Sequence, residues 1–135
     1  MFECIILAGG FGSRLKTVSG EKPKPMMQIG DFPFLYILMK NLEKQGCSNI
    51  VLSLHYGADY IIERINCDRP VNCKVEYCVE QQPMGTGGAI KFCIDLISSE
   101  KFFVVNGDTF CDVNYKLVWK AVMLKKLLHF FSIYL

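Results

Sequence analysis

Residues 4–15 read Cys-Ile-Ile-Leu-Ala-Gly-Gly-Phe-Gly-Ser-Arg-Leu, an apolar run that breaks into glycines and then reaches Arg14. The apolar part is short, contains β-branched residues and ends in glycine, which indicates a buried parallel strand rather than a helix. Because glycines carry no side chain, backbone N–H groups in the following turn can approach a ligand closely. The Arg14 guanidinium adds a fixed charge whose fork geometry suits phosphate. The stretch therefore predicts a loop that binds a nucleotide phosphate.

The composition is that of an ordinary globular protein. The 135 residues fit one small α/β domain or part of a larger one, and 51% of them are hydrophobic and 21% charged. A net charge of +2 is too small to indicate nucleic acid or an anionic membrane as the partner. The apolar residues 117–135 contain three lysines, so we expect no membrane-spanning helix there.

Seven cysteines are present, an odd number, and none forms a C-x-x-C pair. Most lie inside apolar runs, so we expect reduced core residues of a cytoplasmic protein, not a disulfide framework or a zinc site. No basic region precedes an apolar segment at the N-terminus, so a signal peptide is not expected.

The rest of the chain alternates between strand and helix patterns. Strands are predicted at 49–55, 73–80 and 102–105, and helices from a cap at Asp31 to about Gln45, then at 58–65, 87–98 and 116–128. This order is typical of an α/β fold, a Rossmann-like parallel sheet with helices on both faces.

The two glycine loops and Asp108 fall where such a sheet binds its ligands, beyond the carboxyl ends of the strands. Lys24 lies between two prolines, which predict a stiff extended segment. Residues 83–88, Pro-Met-Gly-Thr-Gly-Gly, form a second glycine loop that opens a helix, and residues 106–108, Asn-Gly-Asp, end the fourth strand. A dinucleotide fingerprint is disfavoured because Leu15 replaces its third small residue, and the absence of G-K-[ST] removes the P-loop interpretation.

The order LAGG-F-GSRL, PKPM, QPMGTGGAI and NGD resembles that of the sugar-1-phosphate nucleotidyltransferases, over about residues 2–115. The resemblance is closest to guanylyltransferases that act on mannose- or heptose-1-phosphate. It implies the N-terminal half of the nucleotide-diphospho-sugar transferase fold. It also implies a reaction in which a sugar 1-phosphate attacks the α-phosphate of a nucleoside triphosphate, with Mg²⁺ present. The products would be pyrophosphate and a nucleotide sugar, a precursor for surface polysaccharides.

The resemblance also implies site residues. Arg14 would neutralise the leaving pyrophosphate and Lys24 would contact the reacting phosphates, with a solvated loop lysine as the alternative for Lys24. Asp108 would hold Mg²⁺ or, alternatively, cap the next segment, whereas Asp112 could cap the last helix. The residues expected to bind the nucleotide are Leu7, Ala8, Gly9, Gly10, Gly12, Ser13, Glu80, Gly85, Thr86 and Gly87.

Glu80 matches the position that reads the base in related enzymes. Guanine presents N1–H and N2–H₂ side by side, and one carboxylate can accept both donors. Uracil and thymine present an acceptor, a donor and an acceptor, which suits an amide better. Glu80 therefore favours GTP, unless it is only a solvent-facing charge at a strand end.

The sequence departs from the family after Asn-Gly-Asp, where members continue with sugar-binding residues and a second metal-binding aspartate. We therefore predict a nucleotide-binding α/β domain at 1–114, an atypical helical and apolar tail at 115–135, and weak or absent turnover by this chain alone. The alternative is a catalytically inactive nucleotide-binding or regulatory module. The strand at 102–105 would be left at an exposed sheet edge, a possible route to oligomers.

Overall fold

The computed structural model of the protein describes residues 1–10 and 22–124. The elements in this part, in chain order, are β1 (Phe2–Leu7), β2 (Gln28–Ile29), β3 (Phe32–Pro33), α1 (Phe34–Lys44), β4 (Cys47–Leu54), α2 (Ala58–Asp68), β5 (Lys74–Val79), α3 (Gly85–Cys93), β6 (Phe103–Asn106) and α4 (Tyr115–Leu124). Two 3₁₀ turns, Lys24–Met26 and Ile94–Leu96, precede β2 and follow α3.

Four strands form one parallel sheet in the order β5-β4-β1-β6. The chain winds outward from β1 through β4 to β5, and it then crosses to place β6 on the other side of β1. The winding direction therefore reverses at β1, and such a reversal opens a crevice at the carboxyl ends of the strands. The predicted α/β fold with a parallel sheet is confirmed.

The core has two layers because successive side chains of a strand point to opposite faces. Cys4 and Ile6 of β1 pack on the face that α1, α2 and α4 cover. Ile5 packs on the other face, where α3 contributes Cys93. Helices thus lie on both faces of the sheet, as predicted.

Two local predictions between β1 and α1 are wrong. Asp31 does not cap α1, because it lies in the turn of a β2–β3 hairpin and the helix begins after Pro33. Gly30 precedes Asp31 with a φ of +60°, which lets the chain turn this tightly. Lys24 begins a 3₁₀ turn instead of an extended segment, since a proline is tolerated in a first helical turn and Pro25 is buried there.

Helix α4 packs on the sheet through aromatic rings. Tyr115 is buried, and its ring lies 5.2 Å from that of Phe103. Asn114 caps the helix by accepting the Leu117 N–H at 3.0 Å, so the predicted cap at Asp112 is wrong. The predicted helix end near residue 128 lies outside the described residues, and the domain boundary at 114 stays a prediction. No helix in the described ranges has the length and apolar character needed to cross a membrane.

Strand β6 pairs only with β1 among the described strands, and it is therefore an edge of the sheet. Its four residues are half-buried, so the exposure of this edge stays a prediction. Pairing between chains through that edge stays a prediction.

Gly107 closes the end of β6 against β1, and this contact leads to a stability prediction. Its N–H donates to the Leu7 carbonyl at 2.8 Å, and a Cβ would lie 2.9 Å from the Ala8 Cβ. We expect Gly107→Ala to lower the free energy of unfolding by about 1–3 kcal/mol through overpacking. Gly87→Ala is the matched control, because a Cβ there meets nothing within 4 Å and alanine favours a helix.

Urea unfolding of both variants gives the measurement. The control is expected to be neutral or more stable by up to about 1 kcal/mol. Equal stability of the two variants would show that the contact between Gly107 and β1 leaves room for a side chain.

Candidate functional site

An open cavity of about 460 Å³ lies at the carboxyl ends of the parallel strands. The register aligns these ends, because Leu7 of β1 lies opposite Ser53 of β4 on one side and Asn106 of β6 on the other. The residues that line the cavity are Leu7, Ala8, Gly9, Gly10, Lys24, Pro25, Ser53, Glu80, Pro83, Met84, Gly85, Thr86, Ala89, Asn106, Gly107 and Asp108.

Lys24 and Asp108, 84 positions apart in the sequence, form an ion pair on the cavity wall. The Lys24 Nζ lies 2.5 Å from Asp108 Oδ2, and the Thr109 hydroxyl donates to Oδ1 at 3.1 Å. The hydrogen bond from Lys24 is the main cause of a lowered pKa for Asp108. Lys24 is therefore not simply a solvated lysine. Asp108 does not cap a helix either, since α4 begins seven positions later at Tyr115.

Glu80 follows β5 directly and is only 7% exposed, so the alternative prediction of a solvent-facing charge is wrong. The Ser53 hydroxyl donates to Glu80 Oε1 at 2.8 Å, and the Met84 N–H donates to Oε2 at 3.0 Å. None of the ion pairs found among the described residues involves Glu80. A carboxylate has about four acceptor positions, so two remain on this side chain at the cavity wall.

The second glycine loop leads into α3 beside Glu80 at the cavity. Gly85 has a φ of +69°, a left-handed conformation that favours glycine. No described side chain caps the N-terminus of α3. A helix N-terminus leaves backbone N–H groups without intrahelical partners, and such groups can donate to a negatively charged ligand.

Nine of the residues predicted from the sequence meet at this cavity. They are Leu7, Ala8, Gly9, Gly10, Lys24, Glu80, Gly85, Thr86 and Asp108. Gly87 lies within α3 and does not line the cavity. Gly12, Ser13 and Arg14 lie outside the described residues.

Ser53 is the main residue that the sequence analysis missed. It is a lone polar residue in the apolar run Ile-Val-Leu-Ser-Leu of β4, one position before the end of the strand. Because ligands bind beyond the carboxyl ends of parallel strands, that position was a usable signal.

The Asp108 carboxylate at the cavity suits a metal ion that needs few protein ligands. The described part of the chain contains no group of three or more His, Cys, Asp or Glu side chains that could hold a metal ion. Mg²⁺ usually takes one or two carboxylates and completes its shell with water and substrate phosphates. Asp108, part-exposed at the cavity, fits this requirement.

Comparison with known proteins assigns the family. The model of the nucleotidyl transferase family matches residues 3–132. The chain belongs to this family. The match of this nucleotidyl transferase chain continues past residue 114, into the region predicted to be an atypical tail.

Two curated relatives and one solved structure are especially similar to this nucleotidyl transferase chain. D-glycero-alpha-D-manno-heptose 1-phosphate guanylyltransferase from Campylobacter jejuni is 41% identical over 112 residues, which cover 83% of this chain and 50% of the relative. The enzyme of the same name from Aneurinibacillus thermoaerophilus is 42% identical over 107 residues, covering 79% and 46%. The crystal structure of HddC from Yersinia pseudotuberculosis is 52% identical, with a TM-score of 0.84, and the match covers 91% of this chain and 55% of HddC.

HddC has also been solved in complex with GMP-PN, and that structure matches equally well. The nucleotidyl transferase chain spans about half the length of the curated relatives it matches.

Proposed function

We propose that the cavity binds GTP and Mg²⁺ for guanylyl transfer to a sugar 1-phosphate. The observation that carries this proposal is the meeting of Gly9 and Gly10, Lys24, Glu80 and Asp108 at one cavity. The complex of HddC, 52% identical to this chain, with GMP-PN supports a guanine nucleotide.

Base selection rests on Glu80. Its carboxylate is buried, and the two donors that contact it leave acceptor positions open. Guanine fills such positions with N1–H and N2–H₂, whereas a carbonyl of uracil or thymine would face a carboxylate with no proton between them. Such a mismatch brings two acceptors together at a buried site and leaves both without a donor there, which is costly. Gly85 and Thr86 line the same wall and would pack against the base and ribose.

Phosphate binding rests on the first glycine loop and on Lys24. The backbone of Gly9 and Gly10 lines the cavity, with Gly12 and Ser13 following in the sequence. Lys24 would orient the reacting phosphates by donating to their oxygens, and Arg14 would stabilise the charge of the leaving pyrophosphate. Positioning and charge stabilisation supply most of the catalysis of such transfers.

Asp108 would hold Mg²⁺ together with phosphate oxygens of the substrate. The bound ion would neutralise charge on the phosphates. Asp108 and Lys24 form an ion pair in this structure. When GTP and Mg²⁺ bind, we expect Asp108 to contact Mg²⁺ and Lys24 to contact phosphate oxygens instead.

The proposed reaction transfers GMP. An oxygen of the sugar 1-phosphate attacks the α-phosphorus of GTP, and the bond between that phosphorus and the pyrophosphate oxygen breaks. The products are a GDP-sugar, which would serve surface-polysaccharide synthesis, and pyrophosphate. Heptose 1-phosphate is the favoured acceptor, because both similar enzymes named above are guanylyltransferases for that sugar phosphate.

A second candidate is a nucleotide-binding or regulatory module without turnover. The chain spans about half the length of these relatives, and the turnover assay below distinguishes this candidate from the first. Two further proposals concern the setting of the protein. Its seven cysteines are free thiols, which supports a reducing compartment such as the cytoplasm. The edge strand β6 supports pairing with a second copy.

Calorimetric titration with GTP, dTTP, UTP and NADH, with and without Mg²⁺, tests the nucleotide assignment. We expect GTP to bind at least about tenfold more tightly than UTP or dTTP, because one mismatched buried polar group costs about 1–3 kcal/mol. Glu80→Gln should reduce this preference, since an amide presents one donor and one acceptor. Equal affinities for all four compounds would refute the Glu80 assignment.

Turnover separates the two candidates. The purified 135-residue chain, GTP and mannose- or heptose-1-phosphate are incubated with Mg²⁺, and GDP-sugar and pyrophosphate are measured. GTP binding together with GDP-sugar and pyrophosphate would support guanylyl transfer, whereas GTP binding without product would support the module without turnover. Substantial GDP-sugar formation would exclude the module without turnover.

A further inference from the structure

Ser53 connects the nucleotide cavity with the core of the sheet. Its side chain is only 1% exposed and lines the cavity near the end of β4. The hydroxyl donates a hydrogen bond of 2.8 Å to Oε1 of Glu80. Because Ser53 is buried among closely packed atoms, its side chain has little space to take another position.

The backbone of Glu80 is fixed independently of Ser53. Its N–H donates to the Leu54 carbonyl at 2.8 Å, and its carbonyl lies 2.8 Å from Nδ1 of His55. The Met84 N–H holds only one carboxylate oxygen, Oε2. With one oxygen held, the carboxylate can still rotate about the axis of that contact. The Ser53 hydroxyl supplies the second contact, which fixes the plane of the carboxylate.

We infer that Ser53 is a positioning residue that sets the base preference of the site by fixing the plane of the Glu80 carboxylate. The inference rests on the proposed function, in which this carboxylate accepts two neighbouring donors of guanine. Two parallel hydrogen bonds to a planar ring edge require a carboxylate of defined orientation. Without the hydroxyl, the carboxylate can turn away from the base edge. The affinity for GTP would then exceed the affinity for nucleotides with other donor and acceptor patterns by a smaller factor.

The test compares the ratio of GTP to UTP affinity in the wild type and in Ser53→Ala, by calorimetric titration of the full chain. We expect the ratio to fall about tenfold, the effect of about one hydrogen bond to a charged group. Ser53→Thr retains a hydroxyl and should restore the ratio. Ser48→Ala is the matched control, because Ser48 lies on the same strand and donates to the Phe2 carbonyl, away from the cavity. Its ratio should equal that of the wild type.

Each outcome can be assigned. A folded Ser53→Ala protein with a lower melting temperature and the wild-type ratio would reduce Ser53 to a structural role and overturn the inference. A wild-type protein that binds GTP and UTP equally would overturn the proposed function itself. If Ser53→Ala does not fold, Ser53→Cys decides, since a thiol of similar size is a weak donor and should lower the ratio less, in the same direction. An unchanged ratio in that variant would also refute the inference.

Discussion

Replacing Glu3 with alanine is expected to lower the free energy of unfolding by about 3–4 kcal/mol, since four hydrogen bonds to a buried carboxylate would be lost. Glu3 is 5% exposed at the opposite end of the sheet from the cavity, and it accepts four hydrogen bonds. The donors are the Ser98 N–H at 3.0 Å, the Ser98 hydroxyl at 2.7 Å, the Ser99 hydroxyl at 3.0 Å and Asn49 Nδ2 at 3.3 Å. The side chain thus joins β1 and β4 to the segment that leads into β6.

Urea unfolding measures this loss, and Glu63→Ala is the control. Glu63 is an exposed residue of α2, so its removal should change stability by no more than about 0.5 kcal/mol. If Glu3→Ala were no less stable than Glu63→Ala, the hydrogen bonds of Glu3 would contribute no net stability.

The same cluster makes stability depend on pH. Burial alone would raise the pKa of Glu3, but the hydrogen bonds from Ser98, Ser99 and Asn49 outweigh it and lower the pKa below the ordinary value of 4.5. A lowered pKa stabilises the fold above the unfolded value, and this contribution disappears as the pH falls through the folded value. The stability difference between the wild type and Glu3→Gln should therefore shrink from about pH 5 downward.

Replacing Lys24 with methionine should weaken GTP binding about tenfold to a hundredfold, the effect of losing a charge-assisted hydrogen bond to phosphate. Lys24 is held at the cavity wall by Asp108, and the apolar stem of methionine keeps a similar volume there. Lys22→Met removes the same charge two positions away, at an exposed residue that does not line the cavity. We expect less than about a twofold change in this control, because exposed charges are screened. Calorimetric titration with GTP measures both.

Asp108→Asn distinguishes a specific role of Lys24 from a general effect of charge. This substitution removes a negative charge and the ion-pair partner of Lys24. In the absence of Mg²⁺, the variant should bind GTP at least as tightly as the wild type. Adding Mg²⁺ should increase the GTP affinity of the variant less than that of the wild type. Equal weakening by Lys22→Met and Lys24→Met would mean that the two lysines act only through net charge.

The fold could be predicted because most strands of the main sheet coincide with short apolar runs in the sequence. Cys-Ile-Ile-Leu, Ile-Val-Leu and Phe-Phe-Val-Val each gave a strand, and the alternation with helical patterns gave the parallel sheet. The hairpin at Gln28–Pro33 could not be predicted from the sequence. Its strands have two residues each, which is too short to show an alternation of apolar and polar residues. An aspartate such as Asp31 is common both at helix N-caps and in turns. Gly30, with its positive φ, favours the turn.

The site was predictable wherever a residue carries a chemical signal of its own. Lys24 lies between two prolines, Glu80 directly follows β5 and Asp108 follows Asn106-Gly107 at the end of β6, and all three line the cavity. The partners of these residues were not predictable. The pairing of Lys24 with Asp108, and the hydroxyl of Ser53 on Glu80, depend on three-dimensional proximity across 84 and 27 positions, which no local pattern encodes.

The central position of β1 has a consequence for how this chain folds as it is synthesised. β1 needs β4 on one side and β6 on the other, and Phe103 follows Leu7 by about 95 residues. At about 5–20 residues per second, roughly 5–20 s pass before the second neighbour exists. Pairings between distant segments are also slow to form, because loop closure must precede them. During that interval the most apolar strand of the sheet has one open edge, which is when a chaperone would protect it.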